Sequence, residues 1–313
     1  MRSRAIGRLK VSVVGLGCNN FGGRIDAQQT AAVVDAAIEA GVDYFDTAEI
    51  YGGGLSEEFL GAALKGRRDR VHIATKWGLN ASDGAQPANR AGVRTAIEGS
   101  LQRLGTDYVD HYQLHAPDPG TPIEETLGEL AALVAEGKIR EIGCSNFDAQ
   151  QLDEAVKASG SISVAPFASV QNHYSLLTRD AEKNGVLDAC RRHRIGFVPY
   201  FPLESGLLTG KYALGKPPPE GALLTPADGA NTDATDIDKL AIVAAIGDWA
   251  ASSGHTVLDA AMSWLIGNDV VSSVISGATK PEQVQANVEA ASWDMTVDER
   301  RELEEILSGR VTQ

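Results

Sequence analysis

The sequence predicts an α/β protein with the (β/α)8 TIM-barrel fold, formed by a single domain over residues 1–313. Three observations favour this fold. Eight short apolar runs alternate along the chain with eight amphipathic stretches of helical period. With 313 residues, 43% of them apolar, the chain is long enough to bury one large core. Because crossovers between parallel strands are right-handed, successive strand–helix units favour a closed barrel over an open sheet.

The predicted strands are short apolar runs, as expected for parallel strands that are buried on both faces. A small hairpin or plug is predicted before Val11, at the start of the chain. The predicted strands cover residues 13–17, 44–46, 71–76, 108–115, 139–144, 167–171, 195–200 and 270–276.

The predicted helices carry apolar residues at helical spacing, and several carry end signals. Asp26 is expected to cap the first helix, and Gly41 to end it. Ser56 is expected to cap the second helix, and Gly137 to end the fourth. A trailing helix is predicted at 296–307. The eight barrel helices are predicted at residues 27–40, 56–64, 89–104, 123–136, 148–158, 178–193, 236–252 and 281–290.

One long stretch, residues 203–235, has no periodicity and contains three consecutive prolines at 217–219. We expect it to form a loop after the seventh strand. Structureless loops of this length inside a compact domain are usually functional, so the sequence predicts a lid or a cofactor clamp. A disordered insertion is the alternative.

Composition and charge argue against several classes of protein. Twenty-eight basic and forty-two acidic residues give a net charge of −14, which would repel a nucleic acid. The chain has no run of 18 apolar residues, so no membrane span is predicted. The three cysteines, Cys18, Cys144 and Cys190, lie far apart without metal-ligand spacing. They are expected to be reduced thiols of a cytoplasmic protein that has no metal site.

In a barrel of this kind, reactive groups belong at the carboxyl ends of the strands. The second predicted strand ends in Asp46, the third in Lys76 and the fourth in His115. Neighbouring parallel strands lie about 4.8 Å apart, so three consecutive ends span roughly 10 Å of rim. Strand alternation places Lys76 and His115 on the inward face. The three side chains are therefore predicted to share one site.

A lysine beside an aspartate at this rim is expected to form an ion pair, because an unpaired buried charge is costly. Tyr51 follows on the glycine-rich loop YGGG, which is able to turn back over the rim. An ammonium about 4 Å away favours a phenolate by up to roughly 4 kcal/mol at an effective dielectric constant of about 20, or about three pKa units. We therefore expect Lys76 to lower the pKa of Tyr51 and make it a usable proton donor.

Together, Asp46, Tyr51, Lys76 and His115 resemble the catalytic tetrad of the aldo-keto reductase family. Each alone also has an ordinary explanation, such as a helix cap, a solvated lysine or a hydrogen-bonded histidine. The similarity covers nearly the whole chain, and its motifs are specific when they occur in this order. They are GLG (15–17), FDTAEIYG (45–52), TKWG (75–78), LHAPDP (114–119), GKIREIGCSNF (137–147), Gln171, SGLLTGKY (205–212) and GATKPEQ (277–283).

The resemblance implies reversible hydride transfer between NADPH and an aldehyde or ketone, carried out by a monomer. It implies that Tyr51 donates a proton to the carbonyl oxygen and that Lys76 lowers the pKa of Tyr51. Asp46 would hold Lys76 in place. His115 would orient the substrate oxygen and support the proton transfer.

The resemblance also implies a set of cofactor contacts. NADP is favoured over NAD because Lys280, near the start of a helix, would add its charge to the helix dipole at a 2′-phosphate. Alternatively, Ser145 and Asn146 cap the next helix, Gln171 satisfies buried backbone, and Lys280 is an ordinary first-turn lysine. The implied contacts are Ser145, Asn146 and Gln171 to the nicotinamide carboxamide, Tyr200 to the nicotinamide ring, Leu203, Gly206 and Lys211 to the pyrophosphate, and Gly277, Thr279, Lys280, Gln283 and Asn287 to the adenosine end.

Three aromatic residues that follow strand ends, Phe21, Trp77 and Phe201, are expected to line an apolar substrate pocket. Core packing is the alternative for Phe21. Two positions depart from the family's pattern: Ser276 stands where a proline is common, and Phe201 stands where many relatives have serine. Both departures concern cofactor contacts and leave the tetrad unchanged.

Two other functions are compatible with these residues. The family includes channel-associated β subunits, so a cofactor-sensing regulatory module is one alternative. A barrel aldolase that uses Lys76 as a Schiff-base nucleophile is the other. A Rossmann domain is not predicted, because Asn20 stands at the place of the third glycine of the dinucleotide fingerprint.

Overall fold

A ring of parallel strands forms the centre of the protein. The computed structural model describes residues 1–79, 87–212, 216 and 237–309. Two antiparallel strands come first, β1 (Ser3–Ile6) and β2 (Leu9–Ser12). The strands of the ring are β3 (Val14–Gly17), β4 (Tyr44–Asp46), β5 (His72–Trp77), β6 (Val109–Leu114), β7 (Ile139–Ser145), β8 (Ser169–His173), β9 (Gly196–Tyr200) and β10 (Val274–Gly277).

The ring closes between its last two strands. Its order is β10-β3-β4-β5-β6-β7-β8-β9, and all of the paired neighbours are parallel. A parallel bridge between Phe197 and Val271 joins β9 to the segment just before β10. The Phe197 amide donates to the Val270 carbonyl at 2.7 Å, and the Ser272 amide donates to the Phe197 carbonyl at 2.8 Å. The predicted (β/α)8 TIM barrel is confirmed, and each predicted strand overlaps an observed one.

The hairpin of β1 and β2 covers the amino end of the barrel. Its side chains Ile6, Leu9 and Val11 pack with Tyr44 and Ala74 from β4 and β5. Each buried Å² of apolar surface contributes about 25 cal/mol to stability. The predicted hairpin is confirmed. It leaves the carboxyl end of the barrel uncovered, where a functional site can form.

The helices around the ring begin and end at local signals. Asp26 caps α1 as predicted: its carboxylate accepts from the Gln29 amide at 2.8 Å, and the Gln29 side chain accepts from the Asp26 amide. Gly137 has a φ of 78° just beyond α4, as expected of a terminating glycine. The helices are α1 (Ala27–Glu39), α2 (Leu55–Ala63), α3 (Arg90–Leu104), α4 (Ile123–Ala135), α5 (Ala149–Ser161), α6 (Asp180–Lys183), α7 (Val186–His193), α8 (Ile237–Ser252), α9 (Val257–Ile266), α10 (Pro281–Ala290) and α11 (Val297–Leu307).

Three details of the helix prediction were wrong. The predicted helix 178–193 is divided into α6 and α7, because Gly185 adopts a φ of 85° between them. Helix α9 was not predicted; most of its residues are buried, so it has no polar face to reveal a helical period. Ser56 does not cap α2, which begins one residue earlier. Its hydroxyl instead donates to the Cys18 carbonyl at 2.8 Å.

The segment after β9 leads from the barrel across its carboxyl end. Residues Glu204–Thr209 form a 3-10 turn, in which Ser205 and Gly206 have φ values of 54° and 96°. The rest of the predicted lid or clamp, residues 213–215 and 217–235, lies outside the described residues. Among the described helices, none has the length and apolar character needed to cross a membrane.

Candidate active site

Lys76 is buried at the carboxyl end of β5, and three oxygens surround its Nζ. The ammonium donates to Asp46 Oδ2 at 2.6 Å and to the Thr47 carbonyl at 2.8 Å. It also donates to Tyr51 Oη at 3.4 Å. Burial alone would lower the pKa of Lys76, but Asp46 and Tyr51 outweigh burial and raise this pKa above its ordinary value. The predicted ion pair between Lys76 and Asp46 is therefore present, and the lysine is held in its charged form.

The register of the barrel explains why Lys76 meets Asp46. Asp46 is paired with Ala74, so Lys76 lies two residues beyond that level on the same face of β5. Asp46 ends its strand and is buried, and its carboxylate accepts a hydrogen bond from the lysine ammonium. Strand pairing thus fixes both members of the ion pair.

Tyr51 is brought back over the rim by the glycines that follow it. Gly52, Gly53 and Gly54 have φ values of 58°, 65° and 98°, in the left-handed region that glycine adopts without strain. A Cβ at Gly52 would lie 2.8 Å from the Phe21 carbonyl oxygen, so no larger residue fits this turn without a shift. The glycine run predicted to turn the chain therefore does so.

The pKa of Tyr51 differs from the sequence-based expectation. Burial is the largest effect and raises the pKa of the phenol above its ordinary value, although Lys76 acts to lower it. The expectation of a net decrease was wrong, because it considered the ammonium at Lys76 without the loss of solvent around the phenol. Tyr51 therefore keeps its proton at neutral pH in the free protein, with an ammonium beside its oxygen.

His115 lies next to Tyr51 at the end of β6. The two ring centroids are 6.0 Å apart in an edge-to-face arrangement. Burial and the charge of Lys76 lower the pKa of His115 to about 3, so its imidazole is neutral at physiological pH. Its Nδ1 is buried and has no hydrogen-bond partner among the described residues. The structure thus brings together all four residues of the predicted tetrad.

The carboxyl end of the barrel opens on a cavity of about 640 Å³. Small-molecule sites commonly have volumes of roughly 300–1,000 Å³. Asp46, Tyr51 and His115 line one part of this cavity. Except for Lys280, the predicted cofactor residues also line it: Ser145, Asn146, Gln171, Tyr200, Leu203, Gly206, Lys211, Gly277, Thr279, Gln283 and Asn287.

A hydrogen-bonded group connects the ends of β7, β8 and β9 beside the tetrad. Asn146 Nδ2 donates to the His115 carbonyl at 2.9 Å, and Tyr200 Oη donates to Asn146 Oδ1 at 3.0 Å. Ser145 Oγ donates to the Gln171 carbonyl at 2.7 Å. Ser145 and Asn146 do not cap α5, since Asp148 holds that position and accepts from the Gln151 amide. The capping alternative for these two residues is excluded.

At the far end of the cavity, the start of α10 is held by Gln283. Its Oε1 accepts from the backbone amides of Thr279 at 2.7 Å and Lys280 at 3.2 Å. Lys280 precedes the first residue of this helix and is exposed. Asn287 Nδ2 donates to Ser276 Oγ at 3.0 Å. The serine that departs from the family's pattern thus supplies a hydrogen-bond partner that a proline lacks.

The three predicted aromatic residues differ in their location. Phe201 lines the cavity, is 48% exposed, and meets the Tyr200 ring edge-on at 5.4 Å between centroids. Phe21 and Trp77 are fully buried in the core and are not among the residues that line the cavity. Trp77 stacks on Tyr112 at 4.4 Å between centroids. The expectation that Phe21 and Trp77 line the pocket was wrong, and the core-packing alternative holds for Phe21. Trp77 follows Lys76 directly, so strand alternation turns it outward toward the helices.

Several residues of the cavity were not predicted from the sequence. Arg24 and the Asn19-Asn20 pair come from the loop after β3 and line the cavity. Burial lowers the pKa of Lys211, and the neighbouring charge of Arg24 lowers it further. Glu204, between the cavity residues Leu203 and Ser205, is itself buried, and it accepts from His173 Nε2 at 3.0 Å and from Ser175 Oγ. The position of the asparagine pair just after the first barrel strand was the available signal, because site loops follow strand ends.

Comparison with known proteins identifies the family. A model of the "Aldo/keto reductase family" matches residues 13–308. The chain is 34% identical to "Aldo-keto reductase YhdN" of Bacillus subtilis (strain 168), over 97% of this chain and 92% of that protein. It is also 34% identical to a "Probable voltage-gated potassium channel subunit beta" of Oryza sativa subsp. japonica, over 93% of this chain and 91% of that protein.

A solved structure gives the same result. The glycerol dehydrogenase AKR11B4 from Gluconobacter oxydans superposes with a TM-score of 0.82 at 30% sequence identity. The alignment covers 98% of this chain and 94% of the dehydrogenase. This chain therefore belongs to the aldo/keto reductase family of oxidoreductases.

Proposed function

We propose that this protein catalyses reversible hydride transfer between NADPH and an aldehyde or ketone, with Tyr51 as the proton donor. One observation carries the proposal: a continuous hydrogen-bonded connection runs from Asp46 through Lys76 to the Tyr51 hydroxyl, at the wall of the cavity. A bound nicotinamide would supply the hydride.

Each tetrad residue has a defined task in this proposal. Tyr51 is protonated before the reaction and donates to the carbonyl oxygen as negative charge develops there. The resulting phenolate is stabilised by the ammonium of Lys76, which Asp46 keeps charged and in place. His115 is neutral, so it orients the carbonyl oxygen by a hydrogen bond without adding a charge.

The cavity suits a dinucleotide at both of its ends. The side-chain amides of Asn146 and Gln171 stand beside the tetrad, where a nicotinamide carboxamide would need partners. Lys211 and Arg24 line the cavity and supply positive charge for a pyrophosphate. Lys280, exposed at the start of α10, is our proposed partner of a 2′-phosphate and the basis for preferring NADP over NAD.

A regulatory role is the second candidate function. Two relatives of this chain, from Oryza sativa subsp. japonica and Arabidopsis thaliana, are named as probable voltage-gated potassium channel β subunits. Such a protein would bind the cofactor and respond to its redox state. The complete tetrad beside the cavity favours the enzyme.

The aldolase alternative is weakened by the environment of Lys76. A Schiff-base nucleophile requires a neutral amine. The amine of Lys76 is instead paired with Asp46, and its pKa is raised.

A panel of small aldehydes and ketones tests the proposal, with the loss of NADPH absorbance as the signal. We expect turnover with at least one carbonyl compound. Cofactor binding seen by fluorescence, without turnover of any compound, would contradict the enzyme and favour the regulatory module. Covalent trapping of a carbonyl substrate on Lys76 by borohydride would favour the aldolase.

A further inference from the structure

Gln113 is a buried polar residue of the barrel interior that the proposed mechanism does not use. It lies on β6 in register with Lys76 and is fully buried. Its Nε2 donates to Asp46 Oδ1 at 3.1 Å, whereas Lys76 occupies Oδ2 of the same carboxylate. A buried amide is costly unless its hydrogen bonds are made, so its place next to this carboxylate requires an explanation.

Gln171 shares the same carboxylate oxygen. Its Nε2 donates to Asp46 Oδ1 at 3.0 Å and to Gln113 Oε1 at 3.3 Å. An ionised carboxylate only accepts hydrogen bonds, so both glutamines must turn their nitrogens toward Asp46. The charge on Asp46 therefore fixes the orientation of both side-chain amides.

This arrangement determines what Gln171 offers to a ligand. An amide nitrogen has two hydrogens, and those of Gln171 are taken by Asp46 and Gln113. Gln171 also lines the cavity. Its carbonyl oxygen is the atom left to bind a ligand, and a carbonyl oxygen accepts from an N–H donor such as the amide of a nicotinamide carboxamide.

We propose that Gln113 is a positioning residue that couples the Asp46–Lys76 ion pair to the cofactor contact at Gln171. Gln113 holds Oδ1 of Asp46, so that Oδ2 is aligned on Lys76. Its own carbonyl oxygen takes the second hydrogen of the Gln171 amide and prevents that amide from rotating. The inference rests on the proposed function, because it assigns the nicotinamide to this part of the cavity.

Two substitutions of similar size separate this role from simple packing. Gln113→Met fills the space without hydrogen bonds, and we expect kcat to fall roughly ten- to hundredfold at every pH, as for the loss of a hydrogen bond to a charged group. Gln113→Glu places a second carboxyl beside Asp46, and two adjacent carboxylates cannot both ionise easily. We expect activity of the glutamate variant to recover as pH falls, because a protonated Glu side chain again donates to Asp46.

Binding of a cofactor analogue gives a readout that is independent of turnover. In the acetylpyridine analogue of NADPH, a methyl group replaces the carboxamide NH2 and cannot donate to Gln171. We expect wild-type protein to bind NADPH more tightly than this analogue, measured as dissociation constants by fluorescence. In Gln113→Met the difference should shrink severalfold, because the Gln171 amide then keeps only its hydrogen bond to Asp46 and is held less firmly.

Tyr44→Phe is the matched control. It removes another buried hydrogen bond of the barrel interior, between Tyr44 Oη and His111 Nδ1 at 2.8 Å, and leaves Asp46 untouched. It should lower stability without changing the pH profile or the analogue discrimination. Suppose that the wild-type protein reduces a carbonyl compound, and that Gln113→Met keeps both the wild-type kcat and the preference for NADPH over the analogue. The inference is then overturned and the proposed function stands. If wild-type protein reduces no carbonyl compound, both are overturned.

Discussion

At the residue scale, Tyr51 is subject to two opposing effects. Burial disfavours its phenolate, whereas the ammonium of Lys76, 3.4 Å from its oxygen, favours it. Two unit charges at such a distance attract by roughly 4–5 kcal/mol at an effective dielectric constant of about 20. In the proposed reaction the phenol would therefore be stable as a proton donor beforehand and would become an acceptable anion afterwards.

Removing the phenol hydroxyl tests this assignment. In Tyr51→Phe we expect kcat/KM for carbonyl reduction to fall by roughly 10²–10⁴-fold, the usual contribution of a general acid. NADPH affinity should stay within a few fold, because the ring remains. Steady-state kinetics and fluorescence titration measure the two quantities. If the variant kept the kcat/KM of the wild-type protein, the role of Tyr51 would be contradicted.

The proposed preference for NADP depends on a different residue, Lys280. In Lys280→Ala we expect the dissociation constant for NADPH to rise roughly tenfold, as for a lost charge-assisted hydrogen bond. The constant for NADH should change little, because NADH lacks the 2′-phosphate. Titration of both cofactors checks this, with Lys157→Ala on α5 as the control. Equal losses for NADPH and NADH would contradict the phosphate role.

Single residues differ in how well the sequence predicts them. Asp46, Lys76 and His115 were predictable because strand ends and side-chain alternation determine where they meet. The rise in the pKa of Tyr51 was not, since it depends on how much solvent the folded chain removes. The contact of Gln113 with Asp46 also escaped prediction, because it joins β6 to β4 across the barrel interior.

At the scale of elements, α2 and α3 pack unusually closely at one glycine. A Cβ at Gly61 would lie 2.2 Å from the carbonyl oxygen of Leu104, which is backbone and cannot rotate away. Gly61→Ala is therefore expected to destabilise the protein by about 1–3 kcal/mol, the usual cost of overpacking. Urea unfolding followed by circular dichroism measures this change.

Gly128→Ala on α4 is the control for this prediction. The nearest atom to a Cβ there is 4.0 Å away, on the side chain of Ile162. Alanine should stabilise this helix by roughly 0.5–1 kcal/mol, because it loses less backbone entropy on folding than glycine. Similar effects of the two substitutions would contradict the close approach at Gly61.

The sequence predicted those helices that have one polar face, and those helix and strand ends that are marked by a turn residue. The barrel strands are short apolar runs between charged turns, and Asp26 and Gly137 mark helix ends. Helix α9 gave no such signal, because its apolar residues surround it on all sides. The division between α6 and α7 depends on the φ of Gly185, which a helical period cannot show.

At the scale of the whole molecule, the barrel interior is a layer of polar residues above an apolar plug. His111 lies below the tetrad, where its ring nitrogens contact Tyr44 Oη at 2.8 Å and Ser169 Oγ at 3.0 Å. Burial and the charge of Lys76 lower the pKa of His111 to about 3. Between pH 6.5 and this value the unfolded chain binds a proton that the folded chain does not, so stability decreases as pH falls.

His111→Gln should reduce this acid sensitivity. We expect the variant to be less stable than wild type at pH 8, because it makes poorer hydrogen bonds. Between pH 8 and pH 5, however, wild-type protein should lose about 2 kcal/mol more of its unfolding free energy than the variant. Urea unfolding at the two pH values measures this difference. If the wild type and the variant lost the same unfolding free energy between these pH values, His111 would not be a buried neutral group.

The molecule as a whole was largely predictable, since eight strand–helix units in sequence leave few topologies other than a closed barrel. Closure itself depends on the bridge between Phe197 and Val271, which joins segments far apart in the chain. The oligomeric state stays a prediction; sedimentation at several protein concentrations should show a monomer.

Transfer of a deuterium label tests the central claim most directly. NADPH carrying deuterium at the reactive C4 position would be mixed in a single turnover with a carbonyl compound found in the substrate panel. We predict that wild-type protein places the deuterium on the carbinol carbon of the product, and that Tyr51→Phe does so far more slowly. Product without the label, or equally fast transfer by the Tyr51→Phe variant, would contradict the account.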